Sequence, residues 1–197
     1  MDQKLLAWGM RGRATTLPRL WLFTDQARLP DPRASVSRLP RGRAGVVLRH
    51  DLDPERAALG RQLAVICRAR RLVLVVAGDV RLAAALRAGV HLRGGRWPGP
   101  LRRGGMVTSS AHSIPDLRRA RAAGAMLVFL SPAFATASHA GAGGLGPLRW
   151  AAMARTADAG AADIGIAALG GVDGRTVTRL PVRLVDAVGA IGALASG

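Results

Sequence analysis

Residues of the kinds that bind anions follow many of the short apolar runs in this sequence. The side chains suited to that task are Arg49, Arg93, Arg96, Ser110, Thr136, Ser138 and His139. Glycines follow the last two runs, at Gly170, Gly171 and Gly192, where backbone N–H groups can approach a bound anion closely. Arginine forks, hydroxyl groups and backbone N–H groups all suit phosphate oxygens. The residue types therefore predict a site for a phosphorylated ligand, provided that the fold brings them together.

The apolar runs themselves predict strands. Each run is short and continuous rather than alternating, which is typical of strands buried on both faces of a parallel sheet. Eight such runs occur, at residues 20–23, 45–48, 72–76, 89–92, 105–107, 126–130, 164–169 and 188–191.

Helical patterns separate most of these runs. Asp53 and Ser113 are suited to cap helices that follow them, and Pro54, Pro115 and Pro147 suit a first helical turn. Apolar residues recur at three- and four-residue intervals in segments 54–70, 80–87, 115–123, 147–157 and 173–180.

Strands that alternate with helical segments predict a (β/α)8 barrel, with a doubly wound open sheet as the alternative. We expect residues 1–18 to form a basic N-terminal extension and residues 19–197 to form the barrel. The last helix is expected to be short or missing, so part of the barrel wall needs cover from the extension or from another subunit. In such a barrel the loops at the C-terminal ends of the strands build the site, which is where the anion-binding residues stand.

Composition indicates one globular domain in a reducing compartment. The chain has 197 residues, of which 49% are apolar and 21% charged, enough to bury a sizeable core. Cys67 is the single cysteine and cannot form an internal disulfide, which favours the cytoplasm. No apolar run approaches the ~20 residues that span a bilayer, and Met1 to Lys4 lack the layout of a secretory signal.

The net charge of +17 raises the question of nucleic-acid binding. Lys4 is the only lysine, Glu55 is the only glutamate, and asparagine and tyrosine are absent, so the skew indicates a compositional bias of the whole chain. The aromatic residues also lack the shared spacing of a base-stacking surface. We therefore expect small phosphorylated substrates as partners, no nucleic acid and no membrane, and we leave a homo-oligomer open.

Short motifs along the chain resemble, in order, pieces of the thiamine phosphate synthase family, which also contains the thiazole tautomerases. The resemblance covers about residues 19–195 and implies a (β/α)8 barrel that joins hydroxymethylpyrimidine diphosphate to thiazole phosphate in thiamine biosynthesis. It also implies that Mg2+ assists the departure of diphosphate. The motifs are Leu22–Asp25, Val47–Arg49, Gly89–Leu92, Ser110–Ser113, Ser131–His139, Leu145–Gly146, Ala168–Val172 and Val188–Leu194.

The resemblance implies roles for the residues that match its motifs. Arg49 corresponds to an anion ligand, Ser110 to a serine that contacts diphosphate, and His139 stands where a lysine is expected. These three are the candidate catalytic residues. Asp79 corresponds to the first ligand of Mg2+, although it is equally suited to cap a helix that begins at Val80.

The remaining matches are two hydroxyl residues suited to phosphate contact and the cup for the phosphate of the thiazole. Thr136 and Ser138 correspond to two hydroxyl residues of the family motif. Gly170 and Gly171, with Gly192, correspond to the backbone cup that holds the thiazole phosphate.

Departures from the family pattern concern the diphosphate. Asp51 stands where the family has a lysine, and Arg93-Gly94-Gly95-Arg96 replaces an acidic loop that offers the second carboxylate. Arg93 and Arg96 could supply the charge neutralisation that Mg2+ provides elsewhere. The alternative function is a catalytically degenerate member that binds a phosphorylated thiazole or pyrimidine without turnover.

Three further residues have more ordinary interpretations. His91 ends an apolar run and His112 precedes a helix start, so both are interpreted as satisfied histidines rather than catalysts. Pro132 stands where the resemblance places the proton-transferring histidine of the tautomerases, which argues against tautomerase chemistry by that route.

Overall fold

Eight parallel strands close into a barrel in which each strand pairs with the next and β8 pairs with β1. The structure is a computed structural model, and it describes residues 1–11, 17–98, 105–136, 143–158 and 164–195. The strands are β1 Leu20–Phe23, β2 Ala44–Leu48, β3 Val73–Ala77, β4 Gly89–Leu92, β5 Val107–Ala111, β6 Leu127–Leu130, β7 Gly165–Leu169 and β8 Ala187–Ala190. The predicted (β/α)8 barrel is therefore confirmed, and the open doubly wound sheet is wrong.

Helices connect most of the strands on the outside of the barrel. The connecting helices are α2 Arg33–Arg38, α3 Arg56–Arg70, α4 Val80–Leu86, α5 Ile114–Ala122 and α6 Gly146–Asp158, and a further helix, α1 Gln3–Met10, precedes β1. Ser113 caps α5 as predicted, since its hydroxyl accepts the Asp116 N–H at 3.3 Å. Asp53 instead accepts the Glu55 N–H at 2.8 Å, and α3 begins three residues after it.

The predicted helix over residues 173–180 is replaced by short 3-10 turns at Val177–Arg179 and Val182–Leu184. The Asp173 carboxylate accepts the N–H groups of Arg175 and Thr176, both at 2.8 Å. This local hydrogen bonding competes with helix formation. Another 3-10 turn, Gly192–Leu194, follows β8, in agreement with the expected short last element.

The N-terminal helix α1 packs on the barrel rather than extending from it. Asp2 caps α1 by accepting the N–H groups of Lys4 and Leu5, and its carboxylate also accepts the Gly174 N–H at 2.7 Å. Leu5 is fully buried, and Gly9 lies against the side chain of Leu20 on the outer face of β1. Residues 1–11 therefore cover part of the barrel wall, which is one of the two ways of covering it that the sequence analysis left open.

Aromatic rings fill the inside of the barrel. Phe129 meets Trp21 and Phe23 edge to face, with ring centroids 5.6 and 4.8 Å apart. Gly45 and Gly189 lie beside these rings, where a β-carbon would overlap Trp21 and Phe23 respectively. The barrel is thus a packed core, and ligands are confined to its ends.

The fifth strand lies later in the chain than predicted. The apolar run at residues 105–107 overlaps it only at Val107, and β5 continues through Thr108, Ser109 and Ser110. These hydroxyl residues fit a buried strand because partners on the neighbouring connection satisfy them, as with the Gly95 N–H that donates to Ser109 Oγ at 3.0 Å.

Among the described residues, no helix is long and apolar enough to cross a membrane.

Candidate phosphate-binding site

The residues proposed as anion ligands gather at the end of the barrel where all eight parallel strands finish. Arg49, Asp79 and Arg93 follow β2, β3 and β4, and Ser110 is the penultimate residue of β5. Ser138 and His139 lie outside the described residues. The other members of the set follow β6, β7 and β8, and they are Thr136, Gly170, Gly171 and Gly192.

Arg49 is held at this end by contacts of its backbone and its side chain. Its N–H donates to Thr24 Oγ1 at 2.9 Å, and its guanidinium lies 3.8 Å from Asp25 Oδ2. Burial alone would raise the pKa of Asp25, but hydrogen bonds from Arg28 and the charges of Arg28 and Arg49 lower it overall. Asp25 is therefore ionised near neutral pH, and the Arg49 guanidinium remains 41% exposed beside it.

His50 anchors the same loop, a role that the sequence did not reveal. Its ring is buried, with Nδ1 at 2.9 Å from Thr24 Oγ1 and Nε2 at 3.2 Å from the Pro30 carbonyl oxygen. Its backbone has φ +25°, which is unusual for a residue with a β-carbon. The ring contacts hold the turn that points Arg49 and Asp51 to the mouth of the barrel.

Arg56, the first residue of α3, joins the loops that follow β2 and β3. Its Nη2 donates to the Ala77 carbonyl oxygen at 2.6 Å and lies 3.3 Å from Asp51 Oδ1. Its Nη1 lies 3.8 Å from Asp79 Oδ2. The side chain is only 15% exposed, so Arg56 is a fixed bridge between two carboxylates. No local pattern distinguishes this arginine from the many others in the sequence.

Arg93 crosses from β4 to the loop after β2. Its Nη2 lies 2.5 Å from Asp51 Oδ2, and the side chain is 58% exposed. Gly78 lies beneath it, with φ +66°, and a β-carbon there would lie 3.4 Å from Arg93 Nε. Gly78 therefore supplies the positive φ of the turn after β3, while the space beneath the guanidinium would accept a β-carbon at ordinary contact distance.

The loop Arg93 to Arg96 is a tight turn fastened to β5 and α5. Gly94 and Gly95 both have positive φ, +58° and +73°, and the Arg96 N–H donates to the Arg93 carbonyl oxygen at 3.1 Å. Ser110 Oγ accepts the Gly94 N–H at 3.3 Å. This hydrogen bond leaves the Ser110 hydroxyl proton for the predicted diphosphate contact, because diphosphate oxygens accept hydrogen bonds.

The hydrogen bonds of His112 are made to neighbouring protein groups. Its Nδ1 lies 3.0 Å from the Ser131 carbonyl oxygen, and its N–H donates to Asp116 Oδ2 at 3.0 Å. Burial alone would raise the pKa of Asp116, but hydrogen bonds from His112 and Ser113 and the charges of Arg119 and His112 lower it. These contacts agree with the interpretation of His112 as a satisfied histidine.

Gly170 and Gly171 pack directly against the loop after β6. A β-carbon at Gly170, which has φ +92°, would lie 3.0 Å from Pro132 Cα and 3.3 Å from Thr136 Cγ2. One at Gly171 would overlap the Ala135 carbonyl oxygen. Backbone packing between the two loops therefore requires glycine at both positions. The same packing brings Thr136 beside Gly170, and the sequence analysis predicted that both belong to one site.

The site thus has two halves that differ in chemistry. The half over β1 to β4 contains four arginines and three carboxylates in ion pairs. The half over β6 to β8 contains glycine loops and the Thr136 hydroxyl. Gly192 belongs to this second half and faces open space, since a β-carbon there would meet nothing within 4 Å.

The described carboxylates do not fit a Mg2+ site. Asp79 Oδ1 caps α4 by accepting the Leu82 N–H at 2.9 Å, and its Oδ2 faces Arg56. Asp51 is shared by Arg56 and Arg93. In the part of the chain that the structure describes, no group of three or more His, Cys, Asp or Glu residues could hold a metal ion. The helix cap is therefore the role of Asp79 that the geometry supports, and its role as a Mg2+ ligand stays a prediction.

An α/β barrel with a basic, glycine-rich mouth is the class of protein that the fold and the site define. A model of the family described as thiamine monophosphate synthase matches residues 24–194. The chain belongs to this family, which confirms the resemblance found in the sequence. A search of curated protein sequences gives no match.

Solved structures show the same fold at low identity. Thiamine phosphate pyrophosphorylase from Pyrococcus furiosus is 20% identical, with a TM-score of 0.70 over 89% of this chain and 86% of that chain. The protein of that name from Bacteroides thetaiotaomicron is 18% identical, with a TM-score of 0.53 over 90% and 84%. FabK from Thermotoga maritima is 16% identical, with a TM-score of 0.64 over 90% of this chain and 58% of that one. Proteins of different names share the barrel, so the family match rather than the fold carries the assignment.

Proposed function

We propose that this protein is a thiamine phosphate synthase-like transferase that joins hydroxymethylpyrimidine diphosphate to thiazole phosphate and releases diphosphate. The C–O bond between the pyrimidine methylene and diphosphate breaks, and its electron pair leaves with the diphosphate oxygen. The lone pair of the thiazole nitrogen then forms the new C–N bond. The protein must neutralise the departing diphosphate and hold the second phosphate in place.

The observation that carries this proposal is the division of the barrel mouth into a guanidinium half and a glycine half. Two phosphorylated substrates that react at one carbon need two anion sites that face each other across a short gap. We assign Arg49 and Ser110 to the diphosphate, and Gly170, Gly171 and Gly192 to the thiazole phosphate. Thr136, Ser138 and His139 are proposed to complete the contacts from the loop after β6.

Binding without turnover is the second candidate function. The ion pairs of Asp51 favour it, because a carboxylate stands where the resemblance expects a lysine and it consumes positive charge at the diphosphate half. A protein with such a site could bind a phosphorylated thiazole without catalysing the transfer.

A coupling assay on purified protein distinguishes the two candidates. Both substrates are supplied with Mg2+ or with EDTA, and thiamine phosphate is measured by chromatography. We expect product from the wild type. We expect Arg49→Ala to lower its rate at least about tenfold, or about 1.4 kcal/mol. Arg33→Ala is the matched control, because Arg33 also pairs with a carboxylate, Asp31, but on α2.

Other outcomes would change the assignment. No product, with saturable binding of thiazole phosphate by calorimetry, would establish the second candidate. Neither product nor binding would contradict both.

A further inference from the structure

Four charged side chains form a continuous ion network across three consecutive strand ends. Arg93 after β4 pairs with Asp51 after β2, Asp51 pairs with Arg56, and Arg56 faces Asp79 after β3. We call these four residues the mouth network. Nothing in the sequence pattern joins them, because they come from separate loops and from the start of α3.

We propose that Arg93 is a diphosphate ligand positioned by Asp51 and Arg56, and that this half of the site therefore binds diphosphate without a divalent cation. The proposal rests on the proposed function in one respect, since that reaction makes diphosphate the ligand of this half. It goes beyond that function by assigning neutralisation to a guanidinium and by naming positioning residues.

The first argument is the way that Arg93 is held. Asp51 contacts the Nη2 group, whereas a guanidinium carries five N–H donors. The side chain is more exposed than buried, so further donors remain for an anion among the described surroundings. A fork fixed by one carboxylate has already lost its rotamer freedom, which lowers the entropic cost of binding a second partner.

The second argument is that Arg56 cannot move aside. Its Nη2 donates to the Ala77 carbonyl oxygen at 2.6 Å, and its side chain is largely buried. A divalent cation at Asp51 or Asp79 would lie beside this fixed positive charge. It would also have to displace Arg93 from Asp51. Like charges at such distances repel strongly where water is partly excluded.

The third argument is that a second guanidinium, that of Arg49, lies on the same side of the barrel mouth as that of Arg93. The positive charges of Arg49 and Arg93 both act on the ring of His91, which is buried inside the barrel. Arg93 pairs with Asp51, which stands two residues after Arg49 in the same loop, so the guanidinium groups of Arg49 and Arg93 belong to the same side of the barrel mouth. A diphosphate placed there would contact both, as a two-phosphate ligand requires.

The test measures binding of inorganic pyrophosphate by calorimetry, in EDTA and in Mg2+. We expect the wild type to bind in EDTA and to gain less than about threefold in affinity from Mg2+. We expect Arg93→Ala to weaken binding in EDTA at least about tenfold. Arg93→Lys keeps the charge without the fork and should fall between the two, which guards against a general loss of structure.

Asp51→Asn separates positioning from electrostatics by the sign of its effect. The variant makes the site more positive, so simple attraction would tighten binding of an anion. Loss of the carboxylate that orients Arg93 should instead weaken binding several-fold. Asp31→Asn is the matched control, because it removes the same charge from an exposed pair with Arg33 and should leave affinity unchanged.

The inference and the proposed function can be contradicted separately. Binding of pyrophosphate only with Mg2+ would overturn the inference, and so would a loss of affinity in Arg96→Ala but not in Arg93→Ala. Tighter binding by Asp51→Asn would overturn the positioning role. Metal-free binding with the expected variant effects, but no product in the coupling assay, would support the inference and defeat the proposed function alone.

Discussion

His91 shows how the barrel interior fixes the protonation state of one residue. Its ring packs edge to face on Phe23 at 5.5 Å, and its Nδ1 lies 2.9 Å from Thr108 Oγ1. Burial, with the positive charges of Arg49 and Arg93, lowers the pKa of His91 to about 3. The ring is therefore neutral in the folded protein, although the same group in the unfolded chain takes up a proton near pH 6.5.

This difference predicts a pH dependence of stability. Because the unfolded state binds the proton first, the stabilisation is complete above about pH 6.5 and is lost as pH falls towards 3. In His91→Gln the dependence should be smaller by about 2 kcal/mol between about pH 7 and about pH 5. Urea unfolding across that range measures the free energy of unfolding. Equal slopes for the two proteins would show that folding does not lower the pKa of His91.

The turn after β4 packs so closely against α5 that it requires glycine at position 95. Gly95 has φ +73°, and a β-carbon there would overlap the backbone of Arg119 and Ala120 on α5. Gly124, after α5, has nearly the same φ, +75°, but a β-carbon there meets nothing within 4 Å. The two positions therefore separate the cost of the backbone conformation from the cost of the overlap.

Alanine at each position tests this separation. Gly124→Ala should cost about 1 kcal/mol, which is the conformational penalty alone. Gly95→Ala should cost at least about 3 kcal/mol, because overpacking adds to that penalty. Chemical denaturation of both variants gives the comparison. Equal losses would mean that α5 moves away easily and that the turn is held loosely.

Net charge acts on the whole molecule. Arginine supplies 28 of the 29 basic residues, and the chain carries a net charge of +17. The ion pairs at the mouth neutralise only a few of these charges. The remaining arginines repel one another across a surface with few acidic partners.

Screening should therefore stabilise the fold. We expect the Tm to rise as sodium chloride increases from about 20 mM to about 300 mM, because the Debye length shortens over that range. Differential scanning calorimetry measures the shift. A falling Tm would mean that the attractive pairs outweigh the general repulsion.

Much of the fold could be predicted because its signals are local. The run Val73–Ala77 and the run Leu127–Leu130 are continuous apolar segments, and only a strand buried on both faces suits them. The apolar pattern failed to predict a strand where the residues that satisfy it lie far away in the sequence. Ser109 and its neighbours in β5 are polar, and residues of another loop make them fit a buried strand.

The candidate site divides in the same way. The sequence by itself determined that arginines and glycines follow the strands, and from this it predicted an anion-binding mouth on the barrel. It also placed Asp79 at a helix start, where the structure shows it as a cap. These features depend on order along the chain and on the direction of parallel strands.

Only the tertiary structure decided which charges meet. The pairing of Arg93 with Asp51 depends on β2 and β4 lying on either side of β3, which brings the loops that follow them together. The bridge made by Arg56 depends on where α3 begins relative to the ends of two strands. An ion pair forms between side chains a few ångströms apart in space, and the sequence does not encode that distance until the strand register and the loops are fixed.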